Sequence, residues 1–482
     1  MPLAEAHEMR LLIVEDSEDA IATFERELGK RGDIEMFVAR SRDQAIALIA
    51  SGMFDFAIVD LKIPPTEGAL DSDKSHGLAV FSALSERSPG TPVVIFSGFG
   101  TLRLVQSLLD KATTQDVWGS GTPHPMILFL DKGQVTKCLA LVNKVADEVV
   151  ALSSIEVSFG SRPIDFTYHQ QTILRVFARQ YSGTNIRVSL LGGGLSEAKT
   201  CRIQVEDEHS RIRCYAVVKL GEIANLSEEY QRYQNLVAPI LNVGAFAHVI
   251  QFLTAGAGGT GGLFYGLAKE HDWSLVDALK QAPGSTADIV VRLKQIEVPW
   301  QNIAQSQRVP ISKIRVALIS DAGMHDHSHE LGFDWGDLER LEVRITQCRR
   351  HRDLHGLNVL LKSHQEPLLI DFAEVGAGPA SLDPLTLELS LLFHPACKDL
   401  YSGWPSIAQA KQWDNLDAFT ENCPAANYIR TCRQWAFDVE AGDQGVFATA
   451  YAYAVRQLKY PNTDHKLAAA IAEAAARRLL AK

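Results

Sequence analysis

Nowhere does the chain run through about 18 consecutive apolar residues, so no stretch of it reads as a transmembrane helix. Residues 1–9 lack the apolar core of an export signal. Cys138, Cys201, Cys214, Cys348, Cys397, Cys423 and Cys432 form no Cys-x-x-Cys set, and seven is an odd number. That argues against a disulfide framework and for a reducing compartment. A cytoplasmic protein without membrane insertion is therefore expected. Basic stretches are missing too. The formal charge is −11, with 14 Lys and Arg against 22 Asp and Glu through Leu152, and 33 against 36 beyond it. An acidic chain with no basic stripe and no recognisable recognition helix is a poor partner for nucleic acid. Internal repeats and low-complexity tracts are absent as well.

What the chain has is length. Its 482 residues, 46% hydrophobic and 22% charged, have the balance of a globular protein. Single cores rarely grow past about 250–300 residues, so more than one domain is expected. The amino-terminal part alternates short apolar runs with helical periodicity, the first helix falling at 19–30. The run 10–14 ends at Glu15 and Asp16, 56–59 ends at Asp60, 93–96 ends at Ser97, and 127–130 reaches Lys132. Strands alternating with helices imply a doubly wound parallel sheet whose chemistry collects at the strands' carboxyl ends. Three carboxylates there can hold magnesium, and a hydroxyl and an ammonium can bind phosphate oxygens.

At each of these positions the chain resembles the receiver domain of two-component response regulators. The resemblance implies a flavodoxin-like fold with Asp60 as phosphoacceptor and Glu15, Asp16 and Asp60 as magnesium ligands. It also implies that Ser97 and Lys132 report phosphorylation, with a sensor histidine kinase or another phosphodonor as partner. Phe129 stands where receivers often carry a switching aromatic, or is plain core. Two departures are visible: a polar segment is inserted at 65–76 before Gly77, and Lys132 is followed by Gly133 rather than proline. No cis peptide is expected at that bond. A degenerate receiver kept as a docking or homodimer module is the alternative.

Residues 135–152 read as the last helix of this first domain, and 153–164 as a linker with Gly160 and Pro163 as breakers. A helix at 172–181 and a strand at 186–191 then lead into Gly192, Gly193 and Gly194. Such a turn lets backbone amides approach phosphates, although a plain hairpin would read the same. The apolar strand 215–220 carries Lys219, and a helix with Glu228 and Glu229 follows, Glu229 being the first choice to pair with that lysine. The glycine run 256–262 reads as a loop rather than a second phosphate cradle, and 262–268 as a strand leading to a hinge.

The stretch around which the rest is organised is Arg350, His351, Arg352, Asp353, Leu354, His355, Gly356, Leu357 and Asn358, followed by two short strands, the second ending in Ile370, Asp371, Phe372 and Ala373. An aspartate can orient a hydroxyl and take its proton, while Asn and Asp offer oxygen ligands for the magnesium of a triphosphate. This pattern resembles the catalytic and metal-binding loops of the protein kinase superfamily. The wording is most similar to its aminoglycoside-phosphotransferase branch, and to the ternary complex associated domain family within it. The resemblance implies Asp353 as catalytic base and Asn358 and Asp371 as metal ligands, with ATP and magnesium as cofactors. Gly192, Gly193, Gly194, Lys219 and Glu229 would bind the nucleotide.

Ala373 replaces the usual glycine, and no Ala-Pro-Glu motif follows. The segment 374–383 is too short for a long phosphorylatable activation loop, which shifts regulation to the receiver. Asp383 either braces the catalytic loop or caps the helix before Pro384. His325, His327 and His329 do not converge on a regular helix or strand and read as a solvated loop. A helical pattern with breaks runs from 273 to the catalytic turn, and resumes beyond 385 up to a last helix at 466–480. Trp404, Trp413, Trp435, Tyr451 and Tyr453 are expected in the core.

The expected fold class is α/β: a flavodoxin-like doubly wound receiver (1–152), a linker (153–164) and a two-lobed α+β protein-kinase-like domain (165–482). The small lobe would span about 165–268 and the large lobe about 269–482. The expected function is two-component-type signalling, with a phosphorylatable receiver regulating an ATP- and magnesium-dependent phosphotransferase that acts on a hydroxyl of a protein or small molecule. The alternative is a catalytically silent kinase-like module that binds nucleotide or a partner.

Overall fold

The computed structural model describes residues 8–98, 113–160, 164–191, 199–271, 273–397 and 400–481. Its backbone separates into two compact units, residues 1–227 with 249–266, and residues 228–248 with 267–482.

The first unit opens with five parallel strands in the order Ile34–Ala39, Met9–Val14, Phe56–Val59, Val93–Phe96 and Ile127–Leu130. That is the flavodoxin-like doubly wound order. Helices Glu18–Leu28, Arg42–Ser51 and Lys74–Arg87 are started by Ser17, Ser41 and Asp73, whose side chains accept amide hydrogens that the first turn leaves without partners. Alternate residues of the first strand serve opposite faces: Leu12 and Val14 enter one core, Met9, Leu11 and Ile13 the other. The inserted segment 65–76 folds back on itself through an antiparallel bridge between Ile63 and Asp73, and the helix it leads into begins at Lys74, ahead of Gly77.

The segment expected as a linker is not one. After helix Val135–Ser153, residues Glu156–Phe159 form a strand that pairs in parallel with Asn185–Leu190. The ladder satisfies the backbone groups that face Asn185–Leu190, and Val157 and Phe159 pack on the core, which is why a short polar stretch with breakers still forms an edge strand. Six strands follow in the order Val249–Leu253, Thr260–Gly266, Ile212–Glu222, Lys199–Glu206, Asn185–Leu190 and Glu156–Phe159. Helix Tyr168–Gln180, with a capping box between Thr167 and Gln170, packs on this sheet. One apolar core runs from Met9, Phe56 and Val94 of the parallel sheet through Val142 and Val149 to Ile173, Phe177, Val188, Val218 and Phe264.

The second unit is mixed α/β. Strands Gln305–Pro310, Glu342–Arg350 and Gly376–Pro379 make one antiparallel sheet, and Trp273–Ser274, Val359–Lys362 and Glu366–Leu369 another. The stretch before the catalytic turn, expected to be helical with breaks, therefore contains three strands, Trp273–Ser274, Gln305–Pro310 and Glu342–Arg350. Gln305–Pro310 and Glu342–Arg350 satisfy each other across six residue pairs, a long-range pairing that local periodicity does not report. Helices Leu382–Phe393, Ala426–Val439, Asp443–Gln457 and His465–Leu480 pack around a core holding Trp413, Trp435, Tyr451 and Tyr453, while Trp404 is half-buried. The expected loop with three histidines is a helix, Asp321–His327, and a short turn of 3-10 helix. Ser320 caps the helix, and His327 and His465 lie 3.4 and 2.8 Å from Glu330, so these side chains serve packing and pairing. Among the described residues no helix is long and apolar enough to cross a membrane, and all seven cysteines are free.

Candidate functional site

In the first unit the sheet brings the expected receiver residues together. Glu15 and Asp60 are buried and Asp16 is exposed, and one carboxylate oxygen of each lies within 4.8 Å of the others. Lys132 Nζ lies 2.6 Å from Asp60 Oδ2 and 2.8 Å from Glu15 Oε2. The Lys62 amide donates to Asp60 Oδ1 at 3.2 Å, and the Ser17 amide to Glu15 Oε1 at 3.1 Å. Burial raises the Glu15 carboxyl above its ordinary range, against the opposing pull of Lys132. For Lys132, burial alone would lower the ammonium, but hydrogen bonds to Asp60 and Glu15 outweigh it and hold the group above its ordinary value. Ser97 is fully buried at the end of its strand, and Phe129 is half-buried. The one cis peptide bond among the described residues precedes Pro405, so Lys132–Gly133 is trans, as expected without proline.

The second unit holds the Asp353 loop. Leading into it, the Glu342–Arg350 strand delivers Arg350 and His351 with no solvent exposure. Asp383 accepts the amide hydrogens of His351 at 2.7 Å and Arg352 at 2.8 Å. It sits inside helix Leu382–Phe393 rather than at its cap, so of the two readings the brace is the one the geometry has. His351 Nε2 donates to the Ile370 carbonyl at 3.0 Å, and the Asn358 amide nitrogen donates to the Asp353 carbonyl at 2.8 Å. That bond uses the side-chain nitrogen of Asn358, and its Oδ1 is an acceptor, the kind of oxygen a hard cation takes. The Ile370 amide donates to the Asn358 carbonyl at 3.1 Å, tying the turn to the residue before Asp371.

Strain accompanies this arrangement. Arg352 has φ +67° and Asp371 φ +63°, left-handed backbone that non-glycine residues adopt at a cost of about 1–3 kcal/mol each. The bonds from Asp383 and Ile370 hold the loop against it. Phe372 is fully buried beside the rings of His351 (5.7 Å), Tyr233 (5.9 Å) and Phe246 (6.3 Å). His355 Nε2 lies 3.6 Å from Asp353 Oδ2, and its ring packs 4.4 Å from that of His394. Burial lowers both histidines, His394 to about 4, so both are neutral near pH 7.

One partner escaped the sequence. Glu297 forms a fully buried ion pair with Arg350 at the base of the loop. Burial and the neighbouring Asp383 push Glu297 well above the ordinary carboxylate range, opposed by Arg350. A lone glutamate 53 residues upstream carries no motif; it sits at the junction of helices Thr286–Ile296 and Val298–Gln301, and only long-range packing brings it to Arg350.

Of the expected nucleotide residues, Lys219 is buried on strand Ile212–Glu222. Glu229 is buried on helix Ile223–Arg232, whereas Glu228 is exposed and pairs with Arg232 at 3.2 Å. Gly192, Gly193 and Gly194 lie outside the described residues.

Residues 11–117 match the family described as the response regulator receiver domain, and this part of the chain is a receiver domain. Solved structures align with parts of the chain. The signal receiver domain of an HD domain-containing protein from Pseudomonas fluorescens Pf-5 is 16% identical, with 30% of this chain and 99% of that one covered and a TM-score of 0.23. A response regulator from Burkholderia pseudomallei, solved with a phosphorylated aspartic acid, calcium ion and citrate, is 25% identical over 32% of this chain and 78% of that one, with a TM-score of 0.21. A thermostable mutant of the aminoglycoside phosphotransferase APH(4)-Ia aligns with 61% of this chain and 95% of its own at 10% identity and a TM-score of 0.34. No curated protein matches the sequence.

Proposed function

We propose that the chain is a cytoplasmic signalling protein in which a receiver, phosphorylated on Asp60 by a sensor histidine kinase or another phosphodonor, controls an ATP- and magnesium-dependent phosphotransferase. The observation that carries the phosphotransferase reading is the Asp353 loop: Asn358 tied to the Asp353 carbonyl, Ile370 tied to Asn358, and the amide of the strained Arg352 held by Asp383. Backbone strain of this kind beside three polar residues supports the reading of a loop built for chemistry.

In this reading Asp353 orients the attacking hydroxyl and takes its proton, Asn358 and Asp371 would hold magnesium, and Lys219 and Glu229 serve the nucleotide's phosphates. Bound magnesium would neutralise charge on the phosphate oxygens. In the receiver, Glu15, Asp16 and Asp60 fit a hard cation by donor type and by their 4.8 Å spacing, and Lys132 stands at the acceptor oxygen where phosphate charge would arrive. The hydroxyl substrate belongs to a protein or a small molecule.

Binding of magnesium-ATP tests the reading. Ligand at a hundredfold excess over its dissociation constant stabilises the folded chain by about 2.7 kcal/mol. Melting temperature should rise with magnesium-ATP in the wild type and much less in Asp371→Ala and Lys219→Ala. A wild type that neither shifts nor binds nucleotide by calorimetry would overturn it.

A further inference from the structure

The turn between strands Val249–Leu253 and Thr260–Gly266 has no part in the proposed chemistry, yet its backbone is bonded to the receiver. Gly256 donates its amide hydrogen to the Gly90 carbonyl at 2.8 Å, and Gly90 returns a 2.8 Å bond to the Gly258 carbonyl. A Cβ on Gly90 would stand 2.6 Å from the Gly258 oxygen and 2.8 Å from that of Thr254, so a single methyl group forces the two backbones apart. Gly256 has φ +87° and meets the Val117 carbonyl on the other side, a position only glycine fills without strain. Around this contact Thr254 bonds Gln115, Gln180 bonds Asp116, and Arg179 donates to the Trp118 carbonyl at 3.2 Å and to Glu148 at 2.7 Å.

Two strands that lead to receiver site residues start close to this seam, where Met53 meets Gly258 and Gly90 meets Gly256 and Gly258. Phe56–Val59, which leads to Asp60, starts beside Asp55. Burial and the nearby Asp55 carboxylate push the phenol of Tyr168, on the small-lobe helix, above its ordinary range. Val93–Phe96, which leads to Ser97, starts three residues after Gly90, and Ile127–Leu130, which leads to Lys132, starts after Met126 in the shared core. On the other side, Thr260–Gly266 pairs directly with the strand of Lys219, in register with Leu263.

We infer that this glycine seam carries the state of Asp60 into the sheet that presents Lys219, so the receiver acts as a fixed part of that sheet's support rather than as a tethered module released on phosphorylation. The inference rests on the reading of Lys219 as a nucleotide-binding residue. Linkage requires the coupling to run both ways, and a typical coupling is about five- to 150-fold.

The test uses the full chain with magnesium and beryllofluoride, a mimic of aspartyl phosphate. In the wild type, beryllofluoride should change the magnesium-ATP dissociation constant by about fivefold or more. In Gly90→Ala, and in the milder Arg179→Gln, both ligands should still bind, but the ratio should fall towards one. A wild-type ratio of one, or an undiminished ratio in both variants, would overturn the seam as the route while leaving nucleotide binding intact. Hydrogen exchange reads the route without nucleotide: beryllofluoride should alter protection of the amides at 254–266, and unchanged protection would overturn the inference even if ATP does not bind.

Discussion

Asp383 Oδ2 lies 2.7 Å from the amide nitrogen of His351, and the bond is fully buried. Its other oxygen holds Arg352, so one carboxylate fixes two consecutive amides just before Asp353. Each buried donor left without an acceptor costs about 1–3 kcal/mol. Asp383→Ala should therefore destabilise the second unit by about 2–4 kcal/mol in denaturant unfolding. A change within 0.5 kcal/mol would show that the brace is dispensable.

The buried pair of Glu297 and Arg350 behaves differently from a surface salt bridge. Removing one partner strands the other charge out of water, which typically costs about 3–5 kcal/mol. Glu297→Ala should therefore be among the most damaging single changes in the second unit, and replacing both residues by apolar ones should recover much of the loss. Thermal unfolding of the single and double variants checks this, and additive losses would contradict it.

Acid sensitivity follows from His355 and His394. Both are held below their unfolded value of about 6.5 by burial, His394 at about 4. Below pH 6.5 the unfolded chain binds the extra protons, so the stability they contribute is complete above that pH and drains away as pH falls, for His394 down to about 4. The slope is at most about 1.4 kcal/mol per pH unit for each histidine. His394→Phe should flatten unfolding free energy against pH in that window, and an unchanged slope would exclude His394 as the source.

Asp60 should take up one acid-labile phosphate when the chain meets magnesium and a small phosphodonor. Asp60→Asn should lose it. Equal labelling of the variant, measured by intact mass, would move the acceptor elsewhere.

Much of this was readable from residue order, and the part that was not has one physical cause. Asp60, Ser97 and Lys132 each end a short apolar run, so local pattern places them at strand ends; they follow three neighbouring parallel strands, and Asp60 and Lys132 meet there. Asp353, Asn358 and Asp371 are likewise close in sequence. Contacts across long separations left no such trace. Glu156–Phe159 looks like linker until Asn185–Leu190 pairs with it, and Gln305–Pro310 looks like part of a broken helix until Glu342–Arg350 does. Glu297 and Gly90 carry no motif at all; their partners, Arg350 and Gly258, lie 53 and 168 residues away. Asp383 could be read as cap or brace because only the fold decides which amides it meets.

The most direct test is phosphate release from ATP, or transfer to an acceptor, by wild type, Asp353→Asn and Asp60→Asn, each with and without phosphodonor. Wild type should turn over ATP at a rate that phosphodonor changes by about fivefold or more. Asp60→Asn should turn over at one rate in both conditions, and Asp353→Asn should lose about 100-fold or more while still binding nucleotide. Equal rates in all three proteins under both conditions would contradict catalysis by Asp353 and control by Asp60 together.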